Sequence, residues 1–284
     1  MFKKIIQGLG ITLLFISLWG CQQKPEPENI IKVGTIAGPE TTLMEVAKQY
    51  AKECYGLTIK IVTFSDYNMP NAALADKSID ANMFQHVPYL EAQNKGRGYN
   101  LIPAGKTFVY PMGLYAKRIK SVAELKAGDK VAIPNDPSNQ ARALLLLQQA
   151  KLIKLKPGAT ILSTANDIAS NPKKLKIVTL DAAQLPRALD DVAIAVINTN
   201  FAIPAGLTPV KALFVEDSSS PYVNVVAVRA EDKDNLKTQE LVSSLHSPEV
   251  LKAAKRLFGD GAIPAWKLSE PRLPCLKQST RVTN

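Results

Sequence analysis

Histidine and cysteine are scarce in this sequence, and their scarcity limits the chemistry that it can support. Among 284 residues there are two histidines, His86 and His246, and three cysteines. Neither histidine has a Cys, His or Asp neighbour at the spacing of a metal site. No nucleophile elbow, phosphate-binding glycine loop or dinucleotide fingerprint occurs. We therefore expect no metal, no cofactor and no catalytic residue, and a hydrolase with dispersed catalytic groups is a disfavoured alternative.

A long hydrophobic run is also missing. The apolar segment 11–18 is too short to cross a bilayer, and two lysines precede it, as in an export signal. The "LWGC" that ends it resembles the lipobox of bacterial lipoproteins, in which the cysteine is lipidated. We predict a lipoprotein signal peptide over 1–20, lipidation with palmitate at Cys21 and a linker over 21–29. The alternative is an ordinary secretory signal with an incidental cysteine.

Basic charge is abundant but not concentrated. The formal net charge is +10, with lysines spread over many segments and no arginine-rich stripe, aromatic-studded ribbon or basic run. Nucleic-acid binding requires such a concentration of basic residues. The pattern therefore excludes a nucleic-acid partner and indicates solubility and attraction to anionic surfaces.

Strand-like and helix-like segments alternate along the chain. "NIIKVGTI" and "LTIKIVTF" predict strands, and "GPETTLMEVAKQYAKECYG" between them predicts an amphipathic helix that ends at Gly56. A further helix is predicted over 137–152, with Asp136 as its N-cap and Pro137 in its first position. Such alternation predicts an α/β fold, with mostly parallel sheets flanked by helices.

Two long β-like passages, 107–116 and 221–229, predict that the chain crosses twice between two lobes. Ligands of such sheets bind outside the carboxyl ends of the strands, and domain clefts favour binding sites. We therefore expect a two-lobed protein with its ligand in the cleft. The predicted bounds are 30–111 and 222–270 for lobe 1, 112–221 for lobe 2, and 271–284 for a poorly ordered tail.

Two cysteines remain beyond the predicted anchor. Cys54 continues the apolar face of the helix that ends at Gly56, which predicts a small buried thiol. In an oxidising compartment it could instead form a disulfide with Cys275. The sequence leaves both alternatives open.

Aromatic, amide and guanidinium side chains follow several of the predicted strands. Amides donate and accept hydrogen bonds, arginine binds a carboxylate with two parallel bonds, and aromatic rings wall an apolar slot. This mixture suits a zwitterion with an apolar side chain. The same residues could instead serve as core aromatics, helix caps and strand-end amides. The candidates are Tyr67, Phe84, His86, Tyr89, Asn139, Arg142, Asn198 and Asn224.

Seven segments in this order closely resemble the methionine-binding lipoprotein family, the substrate-binding proteins of methionine ABC importers. They are "FSDY", "IDANMFQHVPYL", "TFVYPMGLYAKRIKS", "VAIPNDPSNQARALLLLQ", "LKIVTLDAAQLPRALDD", "AVINTNFA" and "SPYVNVV". The resemblance extends from about residue 30 to Trp266. It implies a two-lobed periplasmic-binding-protein fold with L-methionine between the lobes.

The resemblance also implies roles for the candidate residues. One group resembles the wall around the thioether side chain, a second resembles the residues that hold the α-carboxylate, and a third bonds the polar end of the amino acid. These groups are Tyr67, Phe84, His86 and Tyr89, then Asn139 and Arg142, then Asn198 and Asn224. Phe201 stands where the family commonly has tyrosine, which implies an altered contact at the rim.

Together these observations predict a lipid-anchored protein that captures L-methionine and delivers it to the permease and ATPase of an ABC importer, without catalysis. Alternatives are the same role for another apolar amino acid, a D-amino acid or a small peptide, or a surface lipoprotein acting as an adhesin or structural factor. We expect it on the periplasmic side of the cell envelope. Gln22 is not the aspartate of inner-membrane retention, so the choice between inner and outer membrane is open.

Overall fold

A computed structural model of the chain describes residues 29–217, 220–268 and 273–275. The predicted signal peptide, the lipidation site Cys21 and the linker up to residue 28 lie outside the described residues. Within the described ranges, no helix combines the length and the apolar character needed to cross a bilayer.

The described residues form two lobes, joined by two crossings of the chain. The strands are β1 (Ile30–Ile36), β2 (Thr58–Phe64), β3 (Ala81–His86), β4 (Leu101–Val109), β5 (Gly113–Tyr115), β6 (Lys130–Pro134), β7 (Lys154–Leu155), β8 (Ile168–Ser170), β9 (Lys176–Leu180), β10 (Ile194–Ile197), β11 (Phe214–Val215), β12 (Val223–Arg229) and β13 (Ile263–Pro264). The helices are α1 (Pro39–Tyr55), α2 (Pro70–Ala75), α3 (Val87–Arg97), α4 (Pro137–Gln149), α5 (Leu185–Ala188), α6 (Thr199–Ala202), α7 (Leu236–Leu245) and α8 (Pro248–Phe258).

Lobe 1 is a six-stranded sheet with strand order β13-β4-β12-β3-β1-β2, and lobe 2 is a five-stranded sheet with order β11-β5-β10-β6-β9. The two-stranded ribbon β7–β8 belongs to lobe 2. Both sheets are therefore assembled from strands that are distant in sequence. We use "lobe 1" and "lobe 2" for these sheets together with their helices.

Strand pairing is mixed, whereas we expected it to be mostly parallel. In lobe 1, β1 is parallel to β2 and β3, but β12 is antiparallel to β3 and β4, and β13 to β4. In lobe 2, β6 is parallel to β9 and β10, but β5 is antiparallel to β10 and β11. The two crossings between the lobes explain this difference. After each crossing the chain enters the next sheet from the cleft, as β5 or β12, whereas the strands beside β5 and β12 run toward the cleft.

The core of lobe 1 lies on both faces of its sheet. Val226 and Val228 of β12 pack with α1, α7 and α8 on one face, whereas Val225 and Ala227 pack with α2 and α3 on the other. Successive strand residues point to opposite faces, so a strand covered on both faces is apolar throughout. This is why "VNVVAV" shows no polar alternation.

Helix α1 and its disulfide fix the described part of the C-terminal tail to lobe 1. The helix ends where predicted, at Gly56, which adopts a left-handed conformation with φ 68°. Cys54 forms a disulfide with Cys275, and the Tyr55 hydroxyl donates a 2.8 Å hydrogen bond to the Leu273 carbonyl. The expectation of a free buried thiol is therefore wrong. Residues 273–275 pack on lobe 1, although we expected the tail to be poorly ordered, and its remaining residues lie outside the description.

The two crossings bond to each other beside the cleft. The Met112 carbonyl accepts a 2.9 Å hydrogen bond from the Glu216 backbone amide, and the Met112 amide donates to the Glu216 carboxylate at 3.1 Å. Because β1, β3, β6 and β10 all run toward the cleft, the residues that follow them meet there. A shared apolar cluster joins the lobes at this point, with Tyr67 from lobe 1 and Leu185 from lobe 2 among its members.

Candidate functional site

A small, narrow cavity lies between the lobes. The structure brings all eight candidate residues to this cavity. Its lining consists of Glu40, Tyr67, Phe84, Gln85, His86, Tyr89, Tyr110, Asn139, Arg142, Asn198, Thr199, Asn200 and Asn224.

Three aromatic rings from lobe 1 form one wall of the cavity. The rings of Tyr67, Phe84 and Tyr89 have centroids 5.8 Å apart in each pair. The Tyr89 hydroxyl donates to the Tyr67 carbonyl at 3.0 Å, which satisfies its polar end. The ring centroid of Phe201, from lobe 2, lies 5.0 Å from that of Tyr67. The result is a rigid apolar surface built from both lobes.

His86 is neutral and its two ring nitrogens have distinct roles. Nδ1 accepts a 3.1 Å hydrogen bond from the Tyr89 backbone amide, which caps α3. The proton therefore lies on Nε2, which donates to Asn139 Oδ1 at 3.1 Å across the cleft. Burial, and then the nearby Arg142 charge, lower the pKa of His86 to about 3. The residue thus joins the lobes without a change of charge near neutral pH.

The Asn139 amide is fully engaged by protein groups. Its Oδ1 accepts from His86 and also from Asn198 Nδ2 at 2.9 Å, and its Nδ2 donates to both Asp136 carboxylate oxygens at 3.1 and 3.0 Å. Asp136 is the N-cap of α4 as predicted, with Pro137 in the first turn. In this arrangement Asn139 positions His86 and Asn198, and its role at a ligand carboxylate stays a prediction.

Arg142 carries the positive charge of the cavity, and Glu216 neutralises it. Its Nε donates to both Glu216 carboxylate oxygens at 3.0 and 3.1 Å, while Nη2 donates to Glu216 at 2.5 Å and to the Tyr110 carbonyl at 2.9 Å. The guanidinium also lies 4.4 Å from the Tyr222 ring centroid. The side chains of this ion pair are 3% and 8% exposed. The N–H groups of Nη1 are further donors with which Arg142 can meet a ligand anion.

Two acceptor atoms of the cavity lining are buried without a hydrogen-bond partner among the described residues. They are Asn198 Oδ1 and the Tyr110 hydroxyl oxygen. Buried polar atoms almost always have a partner, so such an atom in a cavity indicates a position for a ligand or water. Asn224 lies nearby on β12, in register with His86 of β3.

Glu40 is a second acid at the site that the candidate list missed. Its carboxylate Oε2 accepts from Asn200 Nδ2 at 3.5 Å, and Asn200 Oδ1 accepts from the Tyr67 hydroxyl at 2.7 Å. Burial raises the pKa of Glu40 to about 8, so the group is mostly protonated at neutral pH. Glu40 follows β1 closely, so the strand-end rule that indicates Asn200 after β10 could have found it too. Glu216 lies at a crossing and had no sequence signal.

The cavity has a polar and an aromatic side. It combines hydrogen-bond donors, acceptors and aromatic rings around a small volume. Across the part of the chain that the structure describes, no group of three His, Cys, Asp or Glu residues could hold a metal ion.

Known proteins are similar to this chain in sequence and in fold. The sequence pattern of the NlpA lipoprotein family matches residues 31–266. Over 266 residues the chain is 52% identical to a Salmonella typhi protein named D-methionine-binding lipoprotein MetQ, which covers 93% of this chain and 98% of that protein.

Solved structures extend the similarity to three dimensions. An ABC transporter periplasmic substrate-binding protein from Coxiella burnetii is 65% identical, with a TM-score of 0.81 and coverage of 83% of this chain and 100% of that one. A nutrient binding protein from Burkholderia cenocepacia bound to methionine is 51% identical, with a TM-score of 0.81 and the same coverage of both chains.

Proposed function

The chain belongs to the NlpA lipoprotein family, and on this basis we propose that it is a substrate-binding lipoprotein that captures L-methionine between its lobes for an ABC importer. The protein binds its ligand and does not transform it. Methionine is a zwitterion with an apolar thioether side chain, and the cavity offers a complementary group for each part.

The observation that carries this proposal is the division of one buried cavity into an apolar and a polar side. The ring cluster of Tyr67, Phe84 and Tyr89 is suited to the thioether. On the polar side, Arg142 supplies donors for the α-carboxylate, and Asn198 Oδ1 lacks a donor that a ligand can provide. Asn224 completes the polar side next to His86.

Binding favours closure because the cavity wall comes from both lobes. Lobe 1 supplies the aromatic rings, and lobe 2 supplies Arg142 and Asn198. A ligand that contacts both lobes interacts more strongly with the closed arrangement, so it shifts the population toward that state. The permease and ATPase of the importer would then recognise the closed, loaded protein.

Anchoring through a lipid on Cys21 would keep the protein at the membrane where the importer is located. The residues that would carry this anchor precede the described part of the chain, and the proposal for them rests on the "LWGC" motif. We place the protein on the periplasmic side of the envelope, with the choice between inner and outer membrane open.

The experiment that tests this function first unfolds the purified protein to release any co-purified ligand, and mass spectrometry of the released material should show methionine. The protein is then refolded without ligand for binding measurements. In thermal-shift measurements, L-methionine should raise the unfolding temperature, with a stabilisation of about 2.7 kcal/mol at one hundred times the Kd.

D-methionine, leucine and small peptides belong in the same series of measurements. Because relatives are named for D-methionine, a stronger response to the D-isomer would assign that ligand to this chain. Stabilisation by leucine or a peptide but not by methionine would reject methionine as the ligand. No response to any of them would favour the adhesin or structural alternative.

A further inference from the structure

We infer that Glu40 binds the α-ammonium group of the ligand, an inference that rests on the proposed function and goes beyond the residues predicted for the site. Glu40 lies in the first turn of α1, directly after β1, and lines the cavity. The residue is 2% exposed, so its carboxyl group is shielded from bulk water.

Glu40 has no charged partner in the described part of the chain. Of the other acids near the cavity, Glu216 pairs with Arg142 and Asp136 accepts from Asn139, whereas no lysine, arginine or histidine among the described residues forms an ion pair with Glu40. A buried acid with no cation is costly unless it is protonated or acquires one. The ammonium group of an amino acid is the cation that the proposed ligand would bring.

The neighbours of Glu40 leave it free to meet a ligand. Its one hydrogen bond within the described residues, from Asn200 Nδ2, is long at 3.5 Å. Tyr67 and Tyr110, the nearby titratable groups, have pKa values raised well above the usual range because both are buried. Neither tyrosine can therefore supply a negative charge opposite an ammonium group near neutral pH. Glu40 can supply one, because its carboxyl group can ionise.

Position supports the same assignment. Arg142 reaches the cavity from α4 of lobe 2, and Glu40 reaches it from α1 of lobe 1. The buried acceptor Asn198 Oδ1 lines the same cavity and can share the ammonium group with Glu40. An amino acid whose α-carboxylate binds Arg142 and whose α-ammonium group binds Glu40 would contact both lobes through its charged groups. Ligand recognition would then favour closure of the lobes.

The test compares Glu40→Gln with wild type on two ligands, by titration calorimetry. L-methionine carries the ammonium group, and 4-(methylsulfanyl)butanoate has the same thioether and carboxylate without it. Loss of a hydrogen bond to a charged group should weaken methionine binding by about 10- to 100-fold, while binding of the desamino acid stays the same. Glu45→Gln, on the exposed face of the same helix, is the matched control and should bind both ligands like wild type.

Equal weakening of both ligands would show a merely structural role and overturn the inference, as would unchanged methionine binding. Failure of wild type to bind methionine would instead overturn the proposed function, and this inference with it.

Proton release provides a second measurement, which remains decisive where the desamino acid binds too weakly to measure. An arriving ammonium group favours the ionised carboxyl, so at pH 7 wild type should release roughly one proton to solvent per methionine bound. Calorimetry in buffers with different ionisation enthalpies reports this number. Glu40→Gln should release none, and equal release by the two proteins would overturn the inference. Circular dichroism of the variant confirms that it is folded.

Discussion

Arg142 and Glu216 form a buried ion pair that shapes the polar end of the cavity. Taking two charges out of water is costly, and their mutual attraction offsets that cost only when the geometry is good and other hydrogen bonds are made. Both conditions hold here, since Glu216 accepts from Nε and Nη2 and the Tyr110 carbonyl accepts from Nη2 as well. The arginine is thereby held in one orientation before a ligand arrives.

Replacing Arg142 with alanine should weaken L-methionine binding by about 2–5 kcal/mol, because the ligand carboxylate and Glu216 would both lose their buried cation. Titration calorimetry measures this change. Arg256→Ala, at an exposed position of α8, is the control and should leave affinity unaltered. Near wild-type affinity in the Arg142 variant would remove this residue from the site.

The protonation of Glu40 predicts a dependence of stability on pH that needs no ligand. The pKa of this carboxyl is about 8 in the folded protein and about 4.5 when exposed. The stability contributed by the protonated form is fully present below pH 4.5 and is lost as the pH rises toward 8. Relative to Glu40→Gln, wild type should therefore lose up to about 1.4 kcal/mol of unfolding free energy per pH unit across this window.

Denaturant unfolding of both proteins between pH 4.5 and pH 8 measures this difference. The depressed pKa of His86, about 3 against an ordinary value of 6.5, makes stability fall as the pH drops below about 6.5, but both proteins carry His86, so this effect cancels in the difference. A difference in unfolding free energy that is constant with pH would contradict a buried, protonated Glu40.

Helix α4 delivers several site groups through its first turns. Asp136 caps the helix, accepting from the Asn139 backbone amide at 2.9 Å and from the Asn139 side chain. Asn139 and Arg142 are three residues apart and therefore lie on the same face of the helix. The cap that starts the helix is thus also the group that orients an amide of the site.

Asp136→Ala should affect both stability and binding. Loss of the cap should lower the unfolding free energy by about 1 kcal/mol. It should also weaken methionine binding, because Asn139 would no longer hold His86 and Asn198. Ser247→Ala removes the N-cap of α8, far from the cavity, and serves as the control with a similar loss of stability and unaltered binding. Equal affinity in the two variants would show that the cap has no role in the site.

The ligand cavity and the disulfide that attaches the C-terminal tail lie in different parts of the molecule. The cavity lies where the lobes meet, while the Cys54–Cys275 disulfide lies in the core cluster of lobe 1, on the side of its sheet covered by α1, α7 and α8. The bridge closes a loop of 221 residues in sequence separation, which restricts the unfolded chain. It should therefore influence stability rather than ligand affinity.

A double variant, Cys54→Ser with Cys275→Ser, should lose about 2–5 kcal/mol of unfolding free energy and bind methionine as wild type does. Denaturant unfolding and calorimetry measure the two quantities. A reducing agent should destabilise wild type and leave the variant unchanged, which controls for the serine substitutions. A large loss of affinity in the variant would show that the bridge also shapes the cavity.

Local pattern predicted much of the fold and of the candidate site. The period of apolar residues and the Gly56 stop placed α1, and Asp136 with Pro137 placed the start of α4, although that helix ends at Gln149 rather than near 152. The residues predicted after strands do line the cavity, because strands that run toward a cleft deliver their next residues to it.

Long-range pairing could not be predicted in the same way. The partner of Arg142 is Glu216, 74 residues further on, in a segment with no motif of its own. The antiparallel strands β5 and β12 follow from the direction in which the chain re-enters each lobe, which local propensity does not encode.

The sequence by itself determined where α1 ends, where α4 begins and which residue types line the cavity, because these depend on neighbours a few residues apart. Tertiary structure alone decided which groups meet. Among the described residues it placed no cation beside Glu40, gave Arg142 a carboxylate from its own chain and joined Cys54 to the tail. The physical reason is that charge pairing, burial and disulfide formation depend on distances in space, and these are set when the lobes pack.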